Sequence, residues 1–281
     1  MPSTAAANEP ILITGCSTGI GRATALRLAK SGRVVYATAR DTDSLLELAA
    51  AGARCLPLDV TDEQSMVDAV EQIRHDTGGV ASLVNNAGYA LYAPIEEVSM
   101  ADVRRQFETN VFGLVRLTQL VLPDMRGRRS GRIINISSMG GRMTLPGGGI
   151  YHGSKHAVEA ISDALRFEVS GFGIHVSVIE PGPVLTDFAE EATTVAPGSG
   201  PYADFRAGVA ARNADSYDPR GSRGTSSPDD VARVIERALD TSRPRARYLV
   251  GPISRSMVTA HAVLPTSLWD RYLRQQYPPP Q

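Results

Sequence analysis

The chain has 281 residues, 42% of them hydrophobic and 21% charged, with a formal net charge of −1. This composition suits a globular protein and not a disordered one, and so even a balance gives no electrostatic reason to expect nucleic acid or an anionic membrane as partner. The two cysteines, Cys16 and Cys55, offer neither a metal spacing nor a disulfide framework, so the expected compartment is a reducing cytoplasm. The first residues do not read as a secretory signal, and no apolar run approaches the roughly 20 residues that span a bilayer.

Pro10-Ile11-Leu12-Ile13-Thr14 is a short apolar run ending at a glycine-rich turn, the pattern of a buried parallel strand. Residues 22–30 set Ala25, Leu26, Leu28 and Ala29 among polar neighbours and predict a helix closed by Gly32. The pattern then repeats as a strand at 33–38, a helix near 43–51, a strand near 55–58, a helix over 62–76 and a strand at 80–85. A long helix over 100–125, a strand at 132–136, a helix over 150–170 and a strand at 174–179 follow. Strand alternating with helix at this spacing predicts a doubly wound parallel α/β sheet with helices on both faces.

After Pro181-Gly182-Pro183 the rhythm breaks. Residues 188–227 are expected to form a mobile, substrate-binding segment, in which Phe188, Tyr202 and Phe205 either close over substrate or pack in the core. A helix over 228–239 is capped by Ser227, with Asp229 and Asp230 at its positive end. Residues 247–250 read as a last strand, and 252–281 as a C-terminal extension with an amphipathic stretch at 268–274.

Two constellations carry chemistry. The first is Thr14-Gly15-Cys16-Ser17-Thr18-Gly19-Ile20-Gly21, where the first strand meets the first helix. Its glycines depart from the G-x-G-x-x-G spacing but meet the same needs: a tight turn, close approach of backbone to pyrophosphate, and packing of helix on strand. The free N–H groups and partial positive charge of the helix start favour phosphate. The plainer reading is a strand-to-helix turn alone. At the end of the second strand, Thr38 and Ala39 bring no carboxylate for a ribose 2′-hydroxyl, and Arg40 follows. A guanidinium suits a 2′-phosphate, with Ser17 or Thr18 adding a hydroxyl, so NADP(H) is expected over NAD(H). The competing reading pairs Arg40 with Asp41 or Asp43 at the surface.

The second constellation is Tyr151-His152-Gly153-Ser154-Lys155, thirteen positions after Ser138. Tyr151 and Lys155, four apart on a helix, project from one face. A free phenol ionises near pH 10. A neighbouring ammonium and an oxidised nicotinamide ring favour the phenolate and bring Tyr151 toward operating pH as a general acid/base. Ser138 is placed to hold the carbonyl or alcohol oxygen, and Asn110 to hold a water linking Lys155 to solvent. A phosphate cradle followed by a tuned tyrosine points to hydride transfer with a dinucleotide.

With these motifs, and with Leu58-Asp59-Val60, Asn85-Asn86-Ala87-Gly88 and Pro181-Gly182, the chain resembles the short-chain dehydrogenase/reductase family over residues 10–187, and again over 228–251. The resemblance implies a single Rossmann-type domain over 1–281 with about seven strands, and a catalytic tetrad of Asn110, Ser138, Tyr151 and Lys155. It also implies cofactor contacts from Gly15, Ser17, Thr18, Gly19, Ile20, Gly21 and Arg40. Asp59 and Val60 fall near adenine, and Asn86, Ala87 and Gly88 beside the adenosine ribose and the central strand. Lys155 reaches the nicotinamide ribose beside Tyr151, Pro181 and Gly182 contact the cofactor, Val184 touches the carboxamide, and Thr186 bonds it or the pyrophosphate. Gly-Cys-Ser-x-Gly-Ile-Gly with Pro-Gly-Pro-Val is similar to the branch of 17β-hydroxysteroid and retinol dehydrogenases. The family implies a homodimer or homotetramer formed through the helices near 100–125 and 150–170.

The expected reaction is NADP(H)-dependent hydride transfer to or from a secondary alcohol, ketone or aldehyde of a fairly apolar substrate. Met139, Met143 and Leu145 are candidates for its pocket wall. Alternatives are a 3-oxoacyl carrier reductase docking on Arg126, Arg128, Arg129 and Arg132, which otherwise form a solvated helix end, a nucleotide-sensing module without turnover, and a sugar-nucleotide epimerase. No metal set forms around His152, His156 and His175. His152 neighbours Tyr151, although helix geometry points it elsewhere, and Gly147-Gly148-Gly149 reads either as a hinge at the cavity mouth or as a plain turn.

Overall fold

A computed structural model of the chain describes residues 9–186, 193–194, 199–217 and 224–279. The strand Ile11–Ile13 (β1) shows how the sheet is built. All three residues are buried; Ile11 and Ile13 join one core with Ala25, Leu28, Val231 and Ile235, while Leu12 joins another with Met66, Val70, Leu117 and Val121. Alternating side chains thus feed a core on each face, and a strand apolar at every position is the consequence.

Around β1 stand Val35–Ala39 (β2), Arg54–Pro57 (β3), Ser82–Asn85 (β4), Gly131–Ile136 (β6), Ile174–Pro181 (β7) and Arg247–Val250 (β9), in the order β3-β2-β1-β4-β6-β7-β9. Every pairing is parallel, with Ile11 opposite both Val35 and Ser82. Gly19–Lys30 (α1), Leu46–Ala50 (α2) and Glu63–Thr77 (α3) serve the first half. Chain order reverses between β1 and β4, and that switch point opens a crevice at the carboxyl ends of the strands. A small second pairing joins Leu91–Tyr92 (β5) to Thr193–Thr194 (β8).

A buried polar ladder fixes the helix that matters most. Asn85 and Asn135 face each other across β4 and β6, and Asn85 Nδ2 donates to Asn135 Oδ1 at 2.9 Å. Asn135 Nδ2 donates to Ser162 Oγ at 2.9 Å, which ties the sheet to Gly149–Glu168 (α6).

The long helix expected at 100–125 is three pieces: Met100–Phe107 (α4), a π-helical turn at Glu108–Phe112, and Gly113–Arg128 (α5). Most other boundaries fall within one or two residues of expectation. Residues 188–227, read as irregular, contain the helix Ala203–Tyr217 (α7), and Pro228–Asp240 (α8) follows with the expected Ser227 cap. The tail forms two helices, Pro252–Val263 (α9) and Thr266–Gln276 (α10), where the buried Trp269 packs on His261 and Tyr272 with ring centroids 5.0 and 5.4 Å away. Phe188 lies outside the described residues. No described helix is long and apolar enough to cross a membrane.

Candidate active site

A cavity of about 720 Å³ opens at the switch point. Its floor is the glycine turn. Gly15 has φ +68°, and a Cβ there would lie 2.9 Å from Ala87 Cα. Gly19 has φ +57° and faces Thr186, whose Cγ2 a Cβ would meet at 3.2 Å. Gly21 plays a different part: it stands outside the cavity lining, and a Cβ on it would strike Gly15 O at 2.2 Å. Only hydrogen at these positions allows backbone to come so close. Asn86 locks the turn, donating from Nδ2 to Thr14 O and Gly15 O, each at 2.9 Å. The N–H groups of Asn86 and Ala87 both donate to Thr14 Oγ1 at 3.0 Å. The first turn of α1 carries no acidic residue, so its positive end is left open to an anion. This glycine cradle, whose tight backbone packing a Cβ at Gly15 or Gly21 would break, fits a dinucleotide pyrophosphate.

Ser17, Thr18, Ile20, Arg40, Asp59, Val60, Asn86, Ala87 and Gly88 line the same cavity, as do Pro181, Gly182, Val184 and Thr186. Asp41 does not engage Arg40 in the manner of the surface-pair reading; its carboxylate accepts from the Asp43 N–H at 2.9 Å and caps a turn. Asp59 accepts from the N–H and hydroxyl of Thr61 at 2.9 and 2.8 Å.

Across the cavity stand Ser138, Tyr151 and Lys155. Ser138 ends the loop from β6 and caps the short turn Met139–Gly141, accepting from the Gly140 N–H at 3.1 Å. Tyr151 and Lys155 are both buried on the first turns of α6, with Lys155 Nζ 5.9 Å from the phenol ring centroid. The ammonium donates to Ile136 O at 2.9 Å, and burial pushes its pKa down to about 8, against a pull upward from Glu159. Asn110 lies behind this group and not on the cavity wall. It sits in the π-helical turn, and its amide hydrogens go to Tyr89 O and Ser154 Oγ, each at 3.0 Å. Its side-chain oxygen accepts from the Tyr89 N–H at 3.1 Å, so a water bound by Asn110 would rest on its backbone carbonyl.

Met139, Met143 and Leu145 line the cavity as expected of a pocket wall. His152 lines it too, although helix geometry suggested otherwise. Its ring lies in a slot between Gly140 and Gly148, where a Cβ on either would come within 2.3 or 2.4 Å of the imidazole. Space for this ring is a better account of Gly148 than a hinge. His152 Nδ1 accepts from the Leu145 N–H at 3.2 Å, and burial pushes its pKa down to about 4. Tyr202 and Phe205 do not reach the cavity; they pack edge to face at 6.4 Å, and Tyr202 donates to Glu96 at 2.8 Å. Arg128 and Arg129 are committed to backbone carbonyls of Val80 and Gly171, at 2.6 and 2.9 Å.

Several lining residues carried no sequence signal. Tyr92 comes from the two-residue strand β5 and packs 6.1 Å from the Tyr151 ring. Asn213 and Ser216 come from α7, and Tyr277 from the tail, which folds back onto α7 where Gly208 admits Pro278. Arg212 of α7 donates to Gln276 and fastens the tail.

The chain belongs to the short chain dehydrogenase family, whose profile matches residues 9–196. It is thus an oxidoreductase built on a seven-stranded Rossmann-type sheet. It is 35% identical over 269 residues to an NADPH-dependent 3-dehydrocapnine reductase from Ornithobacterium rhinotracheale, covering 92% of this chain and 94% of that one. It is 36% identical over 264 residues to human retinol dehydrogenase 8, covering 86% and 81%, in keeping with the branch that the motifs suggested. A short-chain dehydrogenase structure from Streptomyces avermitilis superposes with a TM-score of 0.82 at 32% identity, covering 98% of this chain and 97% of the other.

Proposed function

We propose that the protein is an NADP(H)-dependent dehydrogenase/reductase that interconverts a ketone or aldehyde and an alcohol on a fairly apolar substrate. The observation that carries this reading is the buried Lys155 ammonium 5.9 Å from the Tyr151 ring, on the same cavity as Ser138 and the glycine cradle.

When bound, the nicotinamide supplies or accepts the hydride. Gly15, Ser17, Thr18, Gly19 and Ile20 would hold the pyrophosphate, Arg40 the 2′-phosphate, and Asp59 and Val60 the adenine. Asn86, Ala87 and Gly88 would pack beside the adenosine ribose. Lys155, Pro181, Gly182, Val184 and Thr186 would hold the nicotinamide end, with Gly21 seating the helix behind the cradle. In reduction Tyr151 donates its phenolic proton to the substrate oxygen, and in oxidation it takes that proton back. Ser138 holds this oxygen through its hydroxyl. The Lys155 ammonium favours the phenolate by Coulomb attraction, strengthened by burial. Asn110 anchors the turn behind Lys155 and holds the water through which it re-equilibrates with solvent.

NADP(H) is favoured over NAD(H) by Arg40 on the cavity wall and by the NADPH-dependent relative. Met139, Met143 and Leu145 support an apolar substrate. Commitment of Arg128 and Arg129 to carbonyls disfavours an acyl-carrier docking face there. A homodimer or homotetramer in the cytoplasm completes the proposal; Phe112 and Phe167, 54% and 76% exposed, lie on or beside the helices that would pair.

The test is absorbance of the reduced nicotinamide with NADPH and a panel of apolar ketones and aldehydes, and with NADP⁺ and the matching alcohols. Turnover is expected. NADPH binding with no turnover on either panel would favour the nucleotide-sensing alternative.

A further inference from the structure

Gly140 and Gly148 lie in different stretches of the cavity wall, and neither needs to be glycine for its own backbone. Both keep out of the left-handed region that favours glycine; Gly148 has φ −98°. What each position lacks is room for a side chain, and the obstacle is the same at both. A Cβ on Gly140 would lie 2.3 Å from His152 Cδ2 and 2.9 Å from Nε2, and one on Gly148 would lie 2.4 Å from Cε1 and 2.8 Å from Nδ1. The nearest atoms at each position all belong to this one ring. The two glycines therefore meet different edges of a single imidazole, which stands between the two stretches as a spacer.

Each stretch carries a part of the proposed site. On the Cδ2 side, the Gly140 N–H donates to Ser138 Oγ at 3.1 Å, within the turn Met139–Gly141. That turn is closed from the other side as well, since a Cβ on Gly141 would lie 3.0 Å from Lys155 O of α6. With backbone on one side and the ring on the other, ring width sets where the Ser138 turn lies. On the Nδ1 side, the Leu145 N–H donates to the ring at 3.2 Å, and the Gly148 N–H donates to Leu145 O at 3.2 Å. Leu145 and Pro146 line the cavity there. Without Nδ1, the partly buried Leu145 N–H would have to find another acceptor, and its loop would shift. The ring has a firm base: His152 is buried on the first turn of α6, and its N–H donates to Gly148 O at 2.8 Å.

We propose that His152 is a positioning residue that sets two walls of the cavity separately: its ring holds the Ser138 turn in place for the reacting oxygen, and its Nδ1 holds Leu145 in place for the apolar part of the substrate. The inference rests on the reading of Ser138 as the residue that holds the substrate oxygen.

Steady-state kinetics with NADPH, and with the panel ketone or aldehyde that the unaltered protein reduces fastest, separate the two roles. His152→Asn keeps an acceptor near the place of Nδ1 and empties the space against Gly140. Its kcat is expected to fall about ten- to a hundredfold, the effect of a misplacement of about an ångström, with little change in KM. His152→Phe keeps a ring between the glycines and deletes the acceptor. Its KM is expected to rise about tenfold with little change in kcat. NADPH affinity, followed by fluorescence, should match the unaltered protein in both. Gly140→Ala, whose methyl would strike the ring, should lower kcat, and His152→Ala added to it should recover part of that loss; this pair serves if His152→Asn does not fold. Parallel changes of kcat and KM in the asparagine and phenylalanine variants, weakened NADPH binding in either, or no recovery in the double variant overturns the proposal. If Ser138→Ala lowers kcat all the same, the role of Ser138 stands without it. Unchanged kcat in Ser138→Ala would overturn both.

Discussion

Arg40 and Tyr151 are single residues on which separate parts of the proposed chemistry turn. Arg40 lines the cavity at the end of β2, where Thr38 and Ala39 offer no carboxylate. Charge-assisted hydrogen bonds to phosphate contribute roughly 1.5–3 kcal/mol. Arg40→Asp is therefore expected to weaken NADPH binding about tenfold to a hundredfold and to strengthen NADH binding, measured by fluorescence titration of each; an unchanged ratio would remove the 2′-phosphate contact. Tyr151→Phe keeps the ring between Tyr92 and His152 and deletes only the hydroxyl. It should bind NADPH normally and lose about 10²–10⁴ in turnover, and robust steady-state activity would refute its role. The place of both on the cavity wall was legible because short motifs mark them: a charged side chain after a strand, and Y-x-x-x-K after a serine. The position of His152 was not legible. It depends on Gly140 and Gly148 vacating a slot from two different loops, which no helical projection contains.

At the scale of elements, local signals were read where local physics decides. The cap of α8 is such a case: Ser227 Oγ accepts from the Asp230 N–H at 3.1 Å, and Asp230 Oδ2 accepts from the Ser227 N–H at 2.8 Å. Ser227→Ala removes one side of that reciprocal pair and is expected to cost about 1 kcal/mol, seen as a lower urea midpoint with an unchanged slope. A loss below a few tenths would mean that the tertiary packing of α8 holds its first turn unaided. The break in the long helix was hidden for the opposite reason. The π-helical turn at Glu108–Phe112 is held from outside the helix, by Tyr89 and Ser154 on the Asn110 amide, so the periodicity of 100–125 carries no mark of it. Helix α7 escaped because its apolar residues follow no clear stripe, and α9 because it buries only Ser254 and Val258, whereas the amphipathic stretch read at 268–274 lies within α10.

For the whole molecule, a parallel sheet with helices on both faces was implied by the strand–helix rhythm, whereas the electrostatics of the interior were not, since burial cannot be read from residue type. Those electrostatics predict the pH dependence of stability. His152 is pushed from 6.5 down to about 4, so between those values the unfolded chain binds more protons and stability falls as pH falls. Glu159 is pushed from 4.5 up to about 7, so across that window the folded chain binds more protons and stability falls as pH rises. Each group alone gives a slope of at most about 1.4 kcal/mol per pH unit. Between pH 4.5 and 6.5 the two slopes oppose each other, and the unaltered protein should show a shallow dependence of melting temperature on pH. Asp163 and Asp230, held low by Arg247 and by the Ser227 cap respectively, exert their effect at more acid pH. Glu159→Gln removes one arm of the balance and should leave a melting temperature that drops steeply on acidification through this window. His152→Phe removes the other arm and should leave one that drops as pH rises. Thermal melts of the three proteins in matched buffers read this directly. If Glu159→Gln follows the same curve as its parent, Glu159 does not hold a proton across this window.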